Sequence, residues 1–395
     1  MGMVLVNFTM HHQLVFYLYV QKIKGVNNMA EPTIKNGEEH FFPIIYEGTE
    51  TGRRVGKFVS FTNNGTIANS VIFNDADNAL LSRTNDAGDR DTFTISVWVK
   101  RCTLDAVQHI FDTYDGSSTN DGYIRFNADN TISTRIGSPS NHLYTTNRTF
   151  EDTSKWYHIM LSVNTNDSTA ADRVKLYVDG DRITSFSTQT NAGSADTTQF
   201  NYSSATFYIG SASGGSYDFD GYLAEFNQVD GSALTPDTFG LTDTSTGRWI
   251  PKTLSGITYG TNGFRLTFAD SSALGDDTSG NTNDFSVTNL VAGDQTTDSP
   301  TQNFINFGNG ERFLGTQQAT EQGGMTIYAS IGTGYTGVSA NKEIPQSGKW
   351  YWEVKLEQVG NVVGLQNPTY GVIDRNLKEI NNFSTSNQID QQVGG

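Results

Sequence analysis

From about residue 57 onward, apolar residues recur with a period of two, in short runs broken by turn-forming clusters. Phe93, Ile95, Val97 and Val99 fall on one face of such a run, opposite Thr92, Thr94, Ser96 and Trp98. Val174, Leu176 and Val178 alternate with Arg173, Lys175 and Tyr177. A pleated strand sends alternate side chains to opposite faces, so each run has one apolar face to bury. Similar runs occupy 70–73, 108–111, 123–126, 131–136, 156–163, 206–209 and 221–228, separated by clusters such as Asp115-Gly116-Ser117-Ser118, Asp129-Asn130 and Asp179-Gly180. No segment sustains a 3.6-residue repeat over three turns. The pattern predicts an all-β chain built on a two-sheet antiparallel sandwich. Its interior includes Ile95, Val97, Trp156, Leu176, Val178 and Phe226.

Composition removes several alternatives. The 5 Trp, 17 Tyr and 24 Phe supply enough large apolar side chains for a core, which argues against disorder. A formal net charge of −16 makes nucleic acid an unfavourable partner, because phosphate binding needs a basic face. The lone cysteine, Cys102, excludes an intramolecular disulfide framework and any multi-cysteine zinc site, and it reads as a small packed residue. The most apolar stretch, 3–20, is interrupted by Asn7, His11, His12 and Gln13 and falls short of the about 20 apolar residues of a spanning helix. It also lacks the charge pattern and cleavage site of a signal peptide. Composition shifts at Met29-Ala30-Glu31-Pro32, so 1–28 reads as an extension or as sequence before the natural start, and 29–56 as an amino-terminal arm.

Five blocks, in order, resemble the laminin-G-like (concanavalin A-like) jelly roll. They are Phe93 to Lys100, Lys155-Trp156-Tyr157-His158, Leu176-Tyr177-Val178-Asp179-Gly180, Tyr208-Ile209-Gly210-Ser211 and the closing Phe219-Asp220-Gly221-Tyr222-Leu223-Ala224-Glu225-Phe226. Ser232-Ala233-Leu234-Thr235-Pro236 is similar to the short helix that ends that domain. Ala224 stands where the family often has Asp, which leaves this chain without that carboxylate. The resemblance implies a jelly roll over 57–240. Residues 241–310 are rich in Gly, Asn, Asp and Thr, with one clear strand at Phe264, Leu266 and Phe268, and read as a linker with short strands. Gly247-Arg248-Trp249, Gly260-Thr261-Asn262-Gly263-Phe264 and Gly280-Asn281-Thr282-Asn283-Asp284 resemble the linker of marine bacteriophage structural proteins. Ser347 to Val354, with Trp350, Trp352, Val354 and Leu356 on one face, resembles the opening strand of a SPRY domain, and Gly371-Val372-Ile373 its next strand. A full SPRY sandwich needs on the order of 100 further residues. Residues 311–395 therefore read as a truncated second β-sandwich, cut short by biology or by an incomplete reading frame.

Catalytic patterns are sparse. Glucanases on this fold carry Glu-x-Asp-x-x-Glu, which places two acids about 5–5.5 Å apart for retaining hydrolysis; the motif is absent here, and Glu225 is the one acid on the closing strand that resembles such a position. The histidines (His11, His12, His40, His109, His142, His158) have no zinc-type spacing beyond the terminal pair, and His158 reads as a packed or hydrogen-bonded side chain. Gly332-Thr333-Gly334-Tyr335-Thr336-Gly337 satisfies Gly-x-Gly-x-x-Gly, but no helical pattern follows to receive a pyrophosphate. Hard oxygen ligands suit calcium, and rim loops of laminin-G-like sandwiches often hold one. Asp112, Asp115 and Asp121 are the candidate ligands, with Asp218 and Asp220 as a second group; the rival reading is a turn whose Asp and Asn side chains bond their own backbone.

The resemblance implies a non-enzymatic virion protein, a phage tail fibre or surface appendage. Its partners are then host-surface polysaccharide or neighbouring virion proteins, with homo-oligomers as a further option. The alternatives are a secreted glycan-active hydrolase or lectin on the same fold, and a purely architectural module without a ligand.

Overall fold

The computed structural model describes residues 65–303, apart from 117–120, 138–141, 214 and 245, together with the backbone of six short strands elsewhere. The chain divides into two units, 1–58 with 343–395, and 59–342. In the first unit the described part is a strand pair, β1 (Leu14–Val15) antiparallel to residues 355–356.

The second unit holds the sandwich. Its strands in chain order are β2 (Ser70–Phe73), β3 (Leu80–Thr84), β4 (Thr92–Arg101), β5 (Gln108–Tyr114), β6 (Gly122–Phe126) and β7 (Thr131–Arg135). There follow β8 (Leu143–Thr149), β9 (Tyr157–Asn164), β10 (Val174–Val178), β11 (Asp181–Arg182), β12 (Phe186–Gln189), β13 (Thr206–Ile209) and β14 (Gly221–Asp230). Beyond these come β15 (Gly240–Thr242), β16 (Trp249–Pro251), β17 (Phe264–Leu266), β18 (Ser286–Thr288) and β19 (Gln295–Thr296). One sheet runs β11-β10-β9-β4-β14-β2-β19, and the other β12-β8-β7-β6-β5-β13-β3-β18; all their pairings are antiparallel. Past the sandwich lie β20 (Arg312–Leu314), β21 (Gln318–Glu321), β22 (Thr326–Ala329) and β23 (Gly337–Val338), and in the first unit β24 (Lys355–Leu356). Otherwise the expected SPRY-like segment, with Trp350, Trp352 and the Gly332–Gly337 loop, lies outside the described residues, as do 1–56 apart from β1.

The alternation read from the sequence is what builds the core. Phe93, Ile95, Val97 and Val99 of β4 point between the sheets and are fully buried with Leu176, Val178 and Phe226. Phenylalanines continue the packing: Phe200 stacks on Phe93 at 4.7 Å, and Phe111 contacts Phe207 at 5.0 Å and Phe226 at 5.6 Å. Burying each such side chain contributes about 1.5–3 kcal/mol. Asp179 and Gly180, at φ of 53° and 82°, make the tight two-residue turn that joins β10 to β11, a conformation the Asp-Gly pair favours.

Two features depart from the alternation argument. Trp156 is buried, but on the outer side of the first sheet with Trp98, Tyr222 and Ala224, not between the sheets. The span expected to be a linker also contributes to both sheets. β14 pairs with β2 through Gly221, Tyr222 and Leu223, then bulges at Glu225 (φ 46°) and pairs with β17 through Phe226, Asn227 and Gln228. β18 extends the second sheet, β19 extends the first, and Phe264, Leu266, Phe268, Phe285 and Leu290 complete the inter-sheet core.

Candidate functional site

The outer face of the first sheet is covered by the chain itself. Met160, Val229, Phe239 and Tyr259 form one apolar layer there, with Leu234, Leu254 and Ile257 against it, and Ile67, Ile72, Trp98 and Trp156 form another. Trp249 lies on His158, and its indole nitrogen meets His158 Nδ1 at 3.1 Å while His158 Nε2 meets Ser96 Oγ at 2.8 Å. Indole can only donate, so Nδ1 accepts and Nε2 carries the proton given to Ser96. Burial alone pushes this imidazole down to about 3, which makes His158 a packed neutral residue, as the sequence suggested. A groove of about 340 Å³ on this side, lined by Val229, Ser232, Leu234 and Ile257 among others, carries no titratable group.

The second sheet is different, because cross-strand register gathers polar and aromatic side chains on its outer face. One row runs His109, Arg125, Ser133, Thr145 and Thr188; the next runs Ser82, Tyr208, Asp112, Tyr123 and Arg135. A bulge between His109 and Phe111 lets His109 share this face with Asp112, and their side chains bond at 3.1 Å. A charged Asp112 only accepts, so Nδ1 holds a proton, and the buried Nε2 has no hydrogen-bond partner among the described residues. Tyr217, 58% exposed, lies parallel to the imidazole at 5.7 Å. Arg125 is half-buried, its guanidinium 4.6 Å from the Tyr123 ring and its Nε donating to Asn127 Oδ1 at 3.0 Å. Beside it, Asn127 Nδ2 donates to Ser133 Oγ at 2.7 Å, and Ser133 meets Thr145 Oγ1 at 2.8 Å. The face therefore offers the exposed ring of Tyr217, a planar multi-donor cation in Arg125 and the polar side chains of Asn127 and Thr145, above the buried His109, Tyr123 and Ser133.

The candidate calcium ligands fall at the margin of this face, each on its own partner. Asp112 is buried against His109; burial pushes its carboxyl up, and the hydrogen bond to His109 offsets that in part. Asp121 accepts from Arg135 at 2.5 Å, and Asp115 from Gln199 Nε2 at 3.3 Å. Among the described residues, no three His, Cys, Asp or Glu side chains are grouped so as to hold a metal ion. Asp220 bonds Thr103, and burial pushes it up to about 6.

The acid on the closing strand is also engaged. Glu225 accepts from Arg265 Nε at 2.5 Å, an ion pair across β14 and β17. No hydroxyl bonds His109 Nε2 among the described residues, so no Ser–His–Asp relay is assembled there. Cys102 is buried, and burial raises its thiol further. No described helix is long and apolar enough to cross a membrane.

Residues 73–238 match the family model of the concanavalin A-like lectin/glucanases superfamily. The match ends before β17, β18 and β19. None of the curated proteins matches the chain. Among solved structures, the heptameric SAP-like pentraxin of Limulus polyphemus is similar at 16% identity and a TM-score of 0.33, over 43% of this chain and 80% of that one. The CBM40 of a Ruminococcus gnavus IT-sialidase, bound to α2,3-sialyllactose, is similar at 12% identity and a TM-score of 0.29, over 40% and 89%. The LG4-5 domains of the mouse laminin α1 chain give 10% identity and a TM-score of 0.29, over 51% of this chain and 49% of theirs.

Proposed function

We propose that this chain is a non-catalytic glycan-binding protein carried on a virion appendage, with the outer face of its second sheet as the binding surface. The observation that carries the reading is the contrast between the two sheets. The first is covered by the chain's own 231–259 and 295–303 segments, while the second reaches solvent through Arg125, Asn127, Thr145, Thr188 and Tyr217, with His109 and Ser133 buried beneath them. Sugars expose hydroxyls around a ring with apolar C–H faces, and such a surface answers both with donors, acceptors and aromatic planes. The match of 73–238 to a lectin and glucanase superfamily is in keeping with this, and the pairing of Glu225 with Arg265 favours binding over hydrolysis. The virion placement rests on the likeness of 247–284 and 347–354 to marine phage structural proteins.

An array of bacterial surface polysaccharides probed with the full chain, run beside a reducing-end assay on the same polymers, tests the reading. Saturable binding without new reducing ends is the expected result. Release of reducing ends would make it a hydrolase, and absence of binding across the array would leave packing against virion proteins as the role of this fold.

A further inference from the structure

Lys100 and Asp298 meet under the covered face of the first sheet, both side chains 0% exposed, with Nζ 2.7 Å from Oδ2. Nζ also donates to Asn303 Oδ1 at 3.0 Å. The other carboxylate oxygen of Asp298 accepts from Trp156 Nε1 at 3.1 Å. The Tyr222 ring lies 5.4 Å from Nζ, and Trp156 packs edge-on against that ring. Ile67, Ile72, Trp98 and Cys102 complete an apolar wall. The strap carrying Asp298 and Asn303 is fixed at several points: β19 pairs with β2, Ser70 Oγ donates to the Asp298 carbonyl at 2.5 Å, and Thr301 Oγ1 to that of Ile67 at 2.7 Å. Asn303 Nδ2 donates to the Ser154 carbonyl at 2.8 Å, which sets the orientation of the carboxamide.

A buried amine–carboxylate pair is weak support for stability, since apolar residues of the same volume commonly do as well. What this pair has in addition is a carboxamide whose oxygen sits within hydrogen-bond reach of the amine. Amine, carboxamide and a carboxylate that can relay protons are the three groups that aminolysis of an amide requires, held here at hydrogen-bond distance in water-poor surroundings.

We propose that Lys100 and Asn303 join spontaneously in the folded chain through a side-chain amide, an isopeptide bond that fastens the 295–303 strap to β4. Asp298 takes a proton from the Lys100 ammonium, leaving a lone pair on Nζ. That pair forms the bond to Cγ of Asn303, and the carbonyl electrons move onto Oδ1. The electrons return as the Cγ–Nδ2 bond breaks, and Asp298 passes protons from Nζ to the departing nitrogen. The two protons that Nζ loses leave with Nδ2 as ammonium. Asp298 ends as the carboxylate it began as, and nothing is oxidised or reduced. The site is independent of the glycan-binding face on the other sheet.

The intact mass of the denatured full chain, with peptide mapping, tests this directly. The bond lowers the mass by about 17 Da, one ammonia, and yields a branched peptide containing Lys100 and Asn303. Asn303→Ala and Asp298→Ala are expected to restore the unmodified mass and give linear peptides only. Full sequence mass in the native chain with linear peptides overturns the proposal, and so does an ammonia loss that maps to a cyclised asparagine elsewhere. The native-chain measurement decides even if a variant fails to fold.

Discussion

The burial of His158 makes a quantitative claim about acid stability. Its imidazole ordinarily titrates near 6.5 and is held down to about 3 in the fold, so between those values the unfolded chain binds a proton that the folded chain refuses. Its contribution to stability is therefore complete above pH 6.5 and drains away as the pH falls toward 3. At about 1.4 kcal/mol per pH unit, the loss at pH 4.5 is roughly 2–3 kcal/mol relative to neutrality. Asp220 works in the opposite sense. Raised from 3.8 to about 6, it contributes stability fully below 3.8 and loses it as the pH rises through 6. The two nearly cancel in the native protein, so the experiment must compare variants. Glutamine at position 158 offers an acceptor to Trp249 and a donor to Ser96 without titrating. Urea unfolding of His158→Gln and the native chain, followed by tryptophan fluorescence from pH 8 to about 4.5, should show a difference that closes by roughly 2–3 kcal/mol across the range, in favour of the variant at acid pH. Parallel stability curves would refute the reasoning.

Other expectations follow from the packing. Phe111→Ala, which removes a ring in contact with Phe200, Phe207 and Phe226, should cost about 3–5 kcal/mol in the same unfolding assay. Limited proteolysis should leave a resistant fragment extending to about residue 303, because β17, β18 and β19 are paired into the sandwich; a core ending near 240–250 would contradict that. With Asp121 on Arg135, Asp112 on His109 and Asp115 on Gln199, millimolar calcium against chelator at matched ionic strength should leave the melting temperature unchanged. A rise abolished by Asp115→Ala would establish the rim loop as a calcium site.

Strands with strong alternation could be read directly from the chain: β4, β9, β10 and β14 lie within a residue or two of where period two places them. Among the strands that escaped are β3, Leu80–Thr84, and two polar ones, β8, with Thr145, Thr146 and Thr149 among its seven residues, and β12, Phe-Ser-Thr-Gln. Both polar strands lie toward one edge of the second sheet, where a strand needs little apolar surface. The 241–303 span looked like a linker because, apart from the alternation of Phe264, Leu266 and Phe268, its core residues Leu274, Phe285 and Leu290 are single anchors between glycine- and asparagine-rich turns. The candidate face was hidden for another reason. Its neighbours are set by cross-strand register, including the bulge that turns His109 toward Asp112, and register is not written in any local motif. The Lys100–Asp298 contact spans 198 positions and leaves no local trace either.

The central claim, that the second sheet's outer face holds a glycan, is tested most directly by titrating the full chain with the best polysaccharide ligand from the array, beside an Arg125→Ala, Tyr217→Ala variant. Both side chains reach solvent, so the variant should melt close to the native chain. Loss of one charged multi-donor and one aromatic plane predicts at least about tenfold weaker binding. Unchanged affinity in a folded variant would place the ligand elsewhere and contradict the account.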